Sequence, residues 1–292
     1  MKTGNIYKNK QGKAVLTALY NRQLKSLNVE YEDLTVETRF GQSHLIKLGN
    51  PNGKPLLLFH GGNSTTPYYL AGFTALFEHF CIYAIDTIGH PGKSAQTILS
   101  ATSMEYGEWA SDVIDSLGFH KMNCIGGSFG GGILMKLMCI APEKIEKSVL
   151  IVPSGISNVS TCNVILKMGI PMICYVLTRK AYWLKKSILP MAIDEKNIDT
   201  RTYEMVKSTF EHVKVKARMP SNVKIEELKN CNVPTFLIAA ENDCLFPGKK
   251  VIEKAKKTIP NIKSYLLHNQ GHLCVLPIDV MNAIKEFIKD NK

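Results

Sequence analysis

From about residue 30 onward, short β-type runs alternate with helix-type runs along the chain. Tyr31–Phe40 and Ser43–Leu48 alternate polar and apolar positions, as a half-exposed antiparallel pair turning at Gly41-Gln42 would. Six further runs are apolar throughout: Pro55–His60, Cys81–Asp86, Met122–Gly126, Ser148–Pro153, Thr235–Ala240 and Ser264–His268. Strands without a polar face belong in a parallel sheet covered on both sides. Helical spacing over Tyr68–His79, Ser103–Leu117, Phe129–Ala141, Gly248–Thr258 and Pro277–Lys289 supplies the covers. The predicted class is α/β: a mostly parallel sheet of about eight strands, with helices on both faces and right-handed crossovers.

Two segments interrupt this alternation. Residues 1–29 form an N-terminal extension carrying an amphipathic helix over Ala14–Leu27, expected to pack on the outside of the sheet. Residues 154–230 show no strand pattern and read as helices broken at Pro171, Pro190 and Pro220. That stretch is too long for a plain loop. It predicts a helical cap inserted into a core made of residues 30–153 and 231–292.

In open α/β sheets the ligand site lies beyond the carboxyl ends of the strands, so the residues following each apolar run carry the chemistry. After the fifth strand come Gly126-Gly127-Ser128-Phe129-Gly130, after the seventh Glu241-Asn242-Asp243, and after the eighth Asn269-Gln270-Gly271-His272. Gly126 and Gly130 flank Ser128 in the G-x-S-x-G pattern of a strained strand-to-helix turn that exposes a serine hydroxyl. Gly131 and Gly132 would let the next helix start close to neighbouring strands; the pattern leaves Gly127 unexplained. A serine hydroxyl is a weak nucleophile until a base takes its proton. A histidine can do so near neutral pH if a carboxylate fixes its tautomer, which makes His272 the base and Asp243 its orienter. The developing oxyanion needs N–H donors, expected from Phe129 and from Gly62 in the His60-Gly61-Gly62 turn, with Asn63 as the alternative.

With those residues in hand, the chain resembles the α/β-hydrolases over roughly residues 30–292. The order Ser128, Asp243, His272 is that family's order. His60-Gly61-Gly62, Asp86 followed by Gly89 and Gly92-Lys93-Ser94, Asp243 followed by Pro247, and Gly271-His272 are supporting matches. The overall likeness is to bacterial carboxylesterase-like members with an added N-terminal helix. It implies a serine hydrolase that cleaves a carboxylic ester of small to medium, fairly apolar character through an acyl-enzyme. No cofactor and no metal are expected. Asp243 is preferred over Glu241 because it precedes Pro247 with the family's spacing, and His272 over His268 because His268 ends its strand and lacks a preceding glycine. His60, His90 and Asp86 are expected to hold loops. Two other readings stay open: a prolyl iminopeptidase-like aminopeptidase, and a hydrolase-fold receptor or signalling protein with little turnover. Against the first, the HGG turn continues as Asn63-Ser64 rather than Pro-Gly.

Composition narrows the partners. At 45% hydrophobic and 21% charged over 292 residues, the chain reads as soluble and globular. Its net charge of +11 comes from scattered lysines, with no basic run or aromatic–basic interleaving, so no nucleic-acid partner is expected. Residues 154–230 carry 13 basic and 7 acidic side chains, read as solvated surface with an anionic substrate as the alternative. The eight cysteines form no CxxC pair and no zinc-like cluster, and read as small buried hydrophobes in a reducing compartment. The N-terminus lacks a signal-peptide pattern and no run of 18 apolar residues occurs; the longest candidate, Val164–Leu177, is broken by Lys167, Gly169 and Pro171. A cytoplasmic protein without a membrane span is expected, as monomer or homodimer. Methionines 168, 172, 191, 205 and 219, with Tyr175, Tyr182, Trp183, Tyr203 and Phe210, either line the substrate pocket or form the cap's own core.

Overall fold

In the computed structural model, which describes residues 2–160, 165–214 and 218–290, the apolar runs become one eight-stranded sheet. Its strands in chain order are β1 (Tyr31–Thr38), β2 (Gly41–Gly49), β3 (Lys54–Phe59), β4 (Phe80–Ile85), β5 (Met122–Gly127), β6 (Ile145–Ile151), β7 (Thr235–Ala240) and β8 (Ile262–Leu267). Across the sheet the order is β8-β7-β6-β5-β3-β4-β2-β1. The β1–β2 and β2–β4 pairs are antiparallel and the remaining pairs parallel. Every residue of β4, β5 and β7 is buried, as their unbroken apolar sequences require. This is the α/β-hydrolase fold.

Helices cover both faces. On one side α3 (Glu105–Ser116), α4 (Phe129–Ile140) and α8 (Gly248–Thr258) bury residues such as Trp109, Ile133 and Val251. On the other, α1 (Lys10–Ser26), the short α2 (Thr66–Leu70) and α9 (Ile278–Lys289) bury Tyr20, Leu70 and Ile284. Between β6 and β7 run a π-helical turn (Ile165–Gly169), α5 (Ile170–Thr178), α6 (Ala181–Ala192) and α7 (Thr200–His212). Among the described residues none of the helices is long and apolar enough to cross a membrane.

Several local expectations shift. The hairpin turns at Arg39-Phe40, not Gly41-Gln42: the Thr38 hydroxyl bonds to the Gly41 carbonyl and the Phe40 N–H, and Arg39 grips Asp112 of α3 with two bonds of 2.9 and 2.7 Å. Gly41, at φ +115°, restarts the strand. Helix α1 begins at Lys10, earlier than Ala14, because the Asn9 side chain accepts the Gly12 N–H and caps it. The single helix expected over Tyr68–His79 splits into α2 and a 3-10 turn (Thr74–Leu76), since residues 71–73 close with short-range bonds (Gly72 N–H to Tyr69, Phe73 N–H to Leu70). Pro190 does not break α6. It costs the helix one i→i−4 bond, but α6 runs on only to Ala192, and Ile193 at φ 69° ends it. Pro171 marks the change from π to α geometry instead of a gap. A two-residue antiparallel pair, Lys2–Thr3 with Thr97–Ile98, had no sequence signal. Of the seven cysteines described, three are buried and four half-buried, all as free thiols; Cys162 and Val164 lie outside the described residues.

The N-terminal extension is tied in by polar contacts. Tyr20 of α1 donates to Asp86 at the end of β4 (3.1 Å), and Asp86 also meets His44 Nδ1 (2.9 Å), the Lys93 N–H (2.8 Å) and the Thr66 hydroxyl. His44 Nε2 continues to Asp33 of β1 at 2.6 Å. Helices α1 and α2, strand β2 and the backbone of the loop at Lys93 therefore converge on one fully buried carboxylate, and β1 joins through His44. Removing one partner of such a network leaves the others desolvated and unpaired. Asp86→Ala is therefore expected to cost about 3–5 kcal/mol, seen as a lowered urea midpoint with an unchanged slope.

Candidate active site

The turn between β5 and α4 carries Ser128 at φ 51°, a conformation that a residue with a Cβ adopts only under constraint. The constraint is visible on both sides of the residue. The Ser128 N–H donates to the Ile151 carbonyl (2.9 Å), and its carbonyl accepts the Ser154 N–H (3.0 Å) and hydroxyl (3.1 Å). Close approach leaves no space for neighbours with side chains: a Cβ on Gly126 would lie 2.5 Å from the Gly130 carbonyl oxygen. A Cβ on Gly130 would lie 2.6 Å from the Phe59 carbonyl carbon. Gly127 has a different reason. The Tyr69 hydroxyl occupies the place its side chain would take. That hydroxyl is buried with no hydrogen-bond partner among the described residues, and burial pushes its pKa far upward.

The structure brings Ser128, His272 and Asp243 together from the ends of β5, β8 and β7. Ser128 Oγ lies 2.9 Å from His272 Nε2, and His272 Nδ1 lies 2.8 Å from Asp243 Oδ2. The other Asp243 oxygen accepts the N–H groups of Leu245 (2.8 Å) and Phe246 (3.0 Å). A carboxylate only accepts, so it places the proton on Nδ1 and turns the Nε2 lone pair toward the serine hydroxyl. Burial of both side chains, at 8% and 0% exposure, keeps water from competing for those bonds. This geometry can accept a proton from Ser128 as its oxygen bonds to an electrophile.

The competing acid and histidine pair with each other outside this chain. His268 Nδ1 meets Glu241 at 3.2 Å and Lys249 meets it at 3.0 Å. Hydrogen bonds from Lys249 and His268 hold the Glu241 carboxyl down at about 2.

Gly61 and Gly62 pass directly over the serine turn. A Cβ on Gly62 would lie 3.2 Å from Phe129 Cβ, and one on Gly61 would lie 3.6 Å from Ser128 Cβ. Phe129 opens α4, where backbone N–H groups have no intrahelical acceptor. Its N–H and that of Gly62 thus belong to adjoining segments beside Ser128. The Asn63 N–H is committed elsewhere, donating to His90 Nδ1 at 3.2 Å, with Asn63 itself at φ 54°. His60 joins its own loop to the next: its Nδ1 faces the Gly61 carbonyl (2.7 Å) and its Nε2 accepts the Thr87 N–H (3.0 Å). Burial lowers its pKa, and the neutral ring is the form that can both donate and accept.

The helices between β6 and β7 reach this site at two points. The Leu273 N–H donates to the Met191 carbonyl of α6 (3.0 Å), and the Thr209 hydroxyl of α7 donates to the Asn63 carbonyl (3.0 Å). Met172, Tyr175, Trp183, Met191, Tyr203 and Phe210 pack into one cluster with Leu184, Ile188 and Leu273. Met205 packs against α1, Met168 and Met219 against the main core, and Tyr182 is exposed. Most of these side chains therefore build the insertion's own core. Burial pushes the thiols of Cys244 and Cys274, near Asp243 and His272, up to about 12, which keeps them protonated and poor nucleophiles. Among the described residues no group of three or more His, Cys, Asp and Glu side chains could hold a metal ion. Two contributors escaped the sequence reading, Tyr69 beneath Gly127 and Met191 beside Gly271. Neither shows a motif, because each acts through a contact between distant segments.

A family model described as the alpha/beta hydrolase fold matches residues 54–170. The carboxylesterase YbfK of Bacillus subtilis (strain 168) is 27% identical over 267 residues, covering 88% of this chain and 87% of the relative. The uncharacterized carboxylesterase nap of the same strain is 25% identical over 262 residues, covering 87% and 85%. The crystal structure of carboxylesterase CesB (YbfK) from Bacillus subtilis superposes with a TM-score of 0.80 at 24% identity, over 96% of this chain and 99% of that one.

Gly127→Ala is expected to overpack the turn against Tyr69 and destabilise the protein by about 1–3 kcal/mol. Adding Tyr69→Leu should recover part of that loss. Additive unfolding energies for the two substitutions would contradict the contact.

Proposed function

Starting from a chain that is a carboxylesterase-like α/β-hydrolase, we propose that it hydrolyses carboxylic esters of small to medium, fairly apolar substrates through an acyl-enzyme on Ser128. The carrying observation is the continuous hydrogen-bond chain from Ser128 Oγ through His272 to Asp243. In this reading Ser128 Oγ bonds to the ester carbonyl carbon as its proton passes to His272 Nε2. The carbonyl oxygen gains the negative charge and is met by the N–H groups of Phe129 and Gly62. Collapse expels the alcohol, which takes the proton from His272 and leaves Ser128 acylated. Water then enters, loses a proton to His272 and attacks the acyl carbon; the acid departs and Ser128 recovers its proton. Asp243 keeps the imidazole in register and stabilises the imidazolium formed at each half-reaction. Residues 154–230 act as the cap, residues 30–153 and 231–292 as the catalytic core, and residues 1–29 as an extension bracing both.

Short p-nitrophenyl esters test the assignment. Ser128→Ala is expected to lower kcat by about 10⁴–10⁶-fold, and undiminished turnover would sink the reading. Asp243→Asn should cost about 10⁴-fold through the wrong tautomer, whereas Glu241→Gln should leave turnover near the parent value. A proline arylamide run beside the ester separates an aminopeptidase: faster arylamide cleavage would displace the esterase reading.

A further inference from the structure

The apolar run around α5 is not used by the chemistry above. Helix α5 buries Met172 and Tyr175, yet it also turns Ile170, Ile173, Val176 and Leu177 outward at 49%, 58%, 49% and 78% exposure. Leu166, in the preceding turn, is 61% exposed. Ile170, Ile173 and Leu177 stand at i, i+3 and i+7, one stripe along a helix face. Single exposed apolar residues are ordinary; a contiguous stripe of isoleucine and leucine marks a surface that meets something apolar.

The sequence that carries it has one sign of charge. From residue 165 to 192 the sequence contains Lys167, Arg179, Lys180, Lys185 and Lys186 and no aspartate or glutamate. Arg179 is paired with Glu211 at 3.4 Å, and the four lysines are exposed. The Lys186 ammonium sits 5.6 Å above the ring of Tyr182, which is itself 56% exposed. An apolar stripe followed along the chain by exposed lysines and an exposed tyrosine suits the boundary between headgroups and acyl chains of an anionic bilayer. A second copy of the chain fits poorly, because two such faces would bring like charges together.

We propose that the exposed stripe of α5, with Lys180, Lys185 and Lys186, docks the protein on the surface of an anionic lipid bilayer. The helical segment carrying the stripe also reaches the site, because the Leu273 N–H beside His272 donates to the Met191 carbonyl of α6 (3.0 Å). Docking would therefore hold the segment that contacts the His272 loop at the lipid surface, where apolar esters concentrate. That delivery of substrate rests on the esterase reading; the docking does not.

Full-length Ser128→Ala protein, which cannot turn over lipid under the esterase reading, is sedimented with vesicles of phosphatidylglycerol and phosphatidylcholine in equal parts, and with phosphatidylcholine alone. Low-salt binding to the anionic vesicles is expected to be at least about tenfold tighter than to the neutral ones. It should weaken as salt shortens the screening length. Lys185→Glu with Lys186→Glu should weaken it by about fivefold or more per lysine, and Ile173→Ser with Leu177→Ser should abolish it. In the Ser128 background both pairs should leave hydrolysis of a soluble short ester at the parent rate, which shows that they fold. Absence of binding to anionic vesicles at low salt overturns the proposal, as does binding that both pairs leave unchanged. A parent dimer that Ile173→Ser with Leu177→Ser converts to monomer reassigns the stripe to a second copy. Absence of ester turnover by the parent protein with vesicle binding intact would instead strike the esterase reading alone.

Discussion

The positive φ of Ser128 is the constraint on which the site depends. A serine turned this way lifts its side chain off the end of β5, and it stays there because its N–H and carbonyl are both held by the strand next door and the segment after it. The strain is tolerable only where neighbouring backbone can close in, so Gly126 and Gly130 carry no side chains. Gly127, which the motif leaves free, is small for a reason particular to this protein: the Tyr69 ring has taken its space. One turn thus couples β5, β6, α4 and the segment after β3.

The loops around that turn are held by buried polar groups. Asp86 gathers Tyr20, His44, Thr66 and the Lys93 backbone, so the N-terminal helix and the loops after β3 and β4 share one anchor. His60 spans the same two loops from the other side through Gly61 and Thr87. These contacts hold the Gly61-Gly62 backbone close beside Ser128 and Phe129.

His272 is fixed from three directions: by Asp243, by the ring of Phe246 at 5.3 Å, and by the Leu273 bond to Met191 of α6. The last ties the His272 loop to the helical segment between β6 and β7, so movement of that segment would be felt at Nε2. The same segment carries the exposed apolar stripe of α5, and through Thr209 and Met191 it meets both the Asn63 loop and the His272 loop.

Much of this was legible in the sequence because it depends on local pattern. Unbroken apolar runs gave the strands and their burial, 3.6-residue spacing gave most helices, and strand-end positions singled out Ser128, Asp243 and His272, which the fold brings into one hydrogen-bond chain. What stayed hidden depends on which distant segments meet. Tyr69 at Gly127, Met191 at Gly271, Tyr20 and His44 at Asp86, and the pairing of Glu241 with His268 each join residues that carry no shared motif. The hairpin turn and the split of the Tyr68–His79 helix were misread because side-chain hydrogen bonds and short backbone closures outweighed hydrophobic period. Sequence alone determined the sheet, its covers and the chemical groups at its mouth, since burial periodicity and glycine sterics act within a few residues. Only the tertiary structure decided which acid and which histidine share a hydrogen-bond chain with Ser128 and which apolar face stays in the open, since those follow from contacts closed between distant segments.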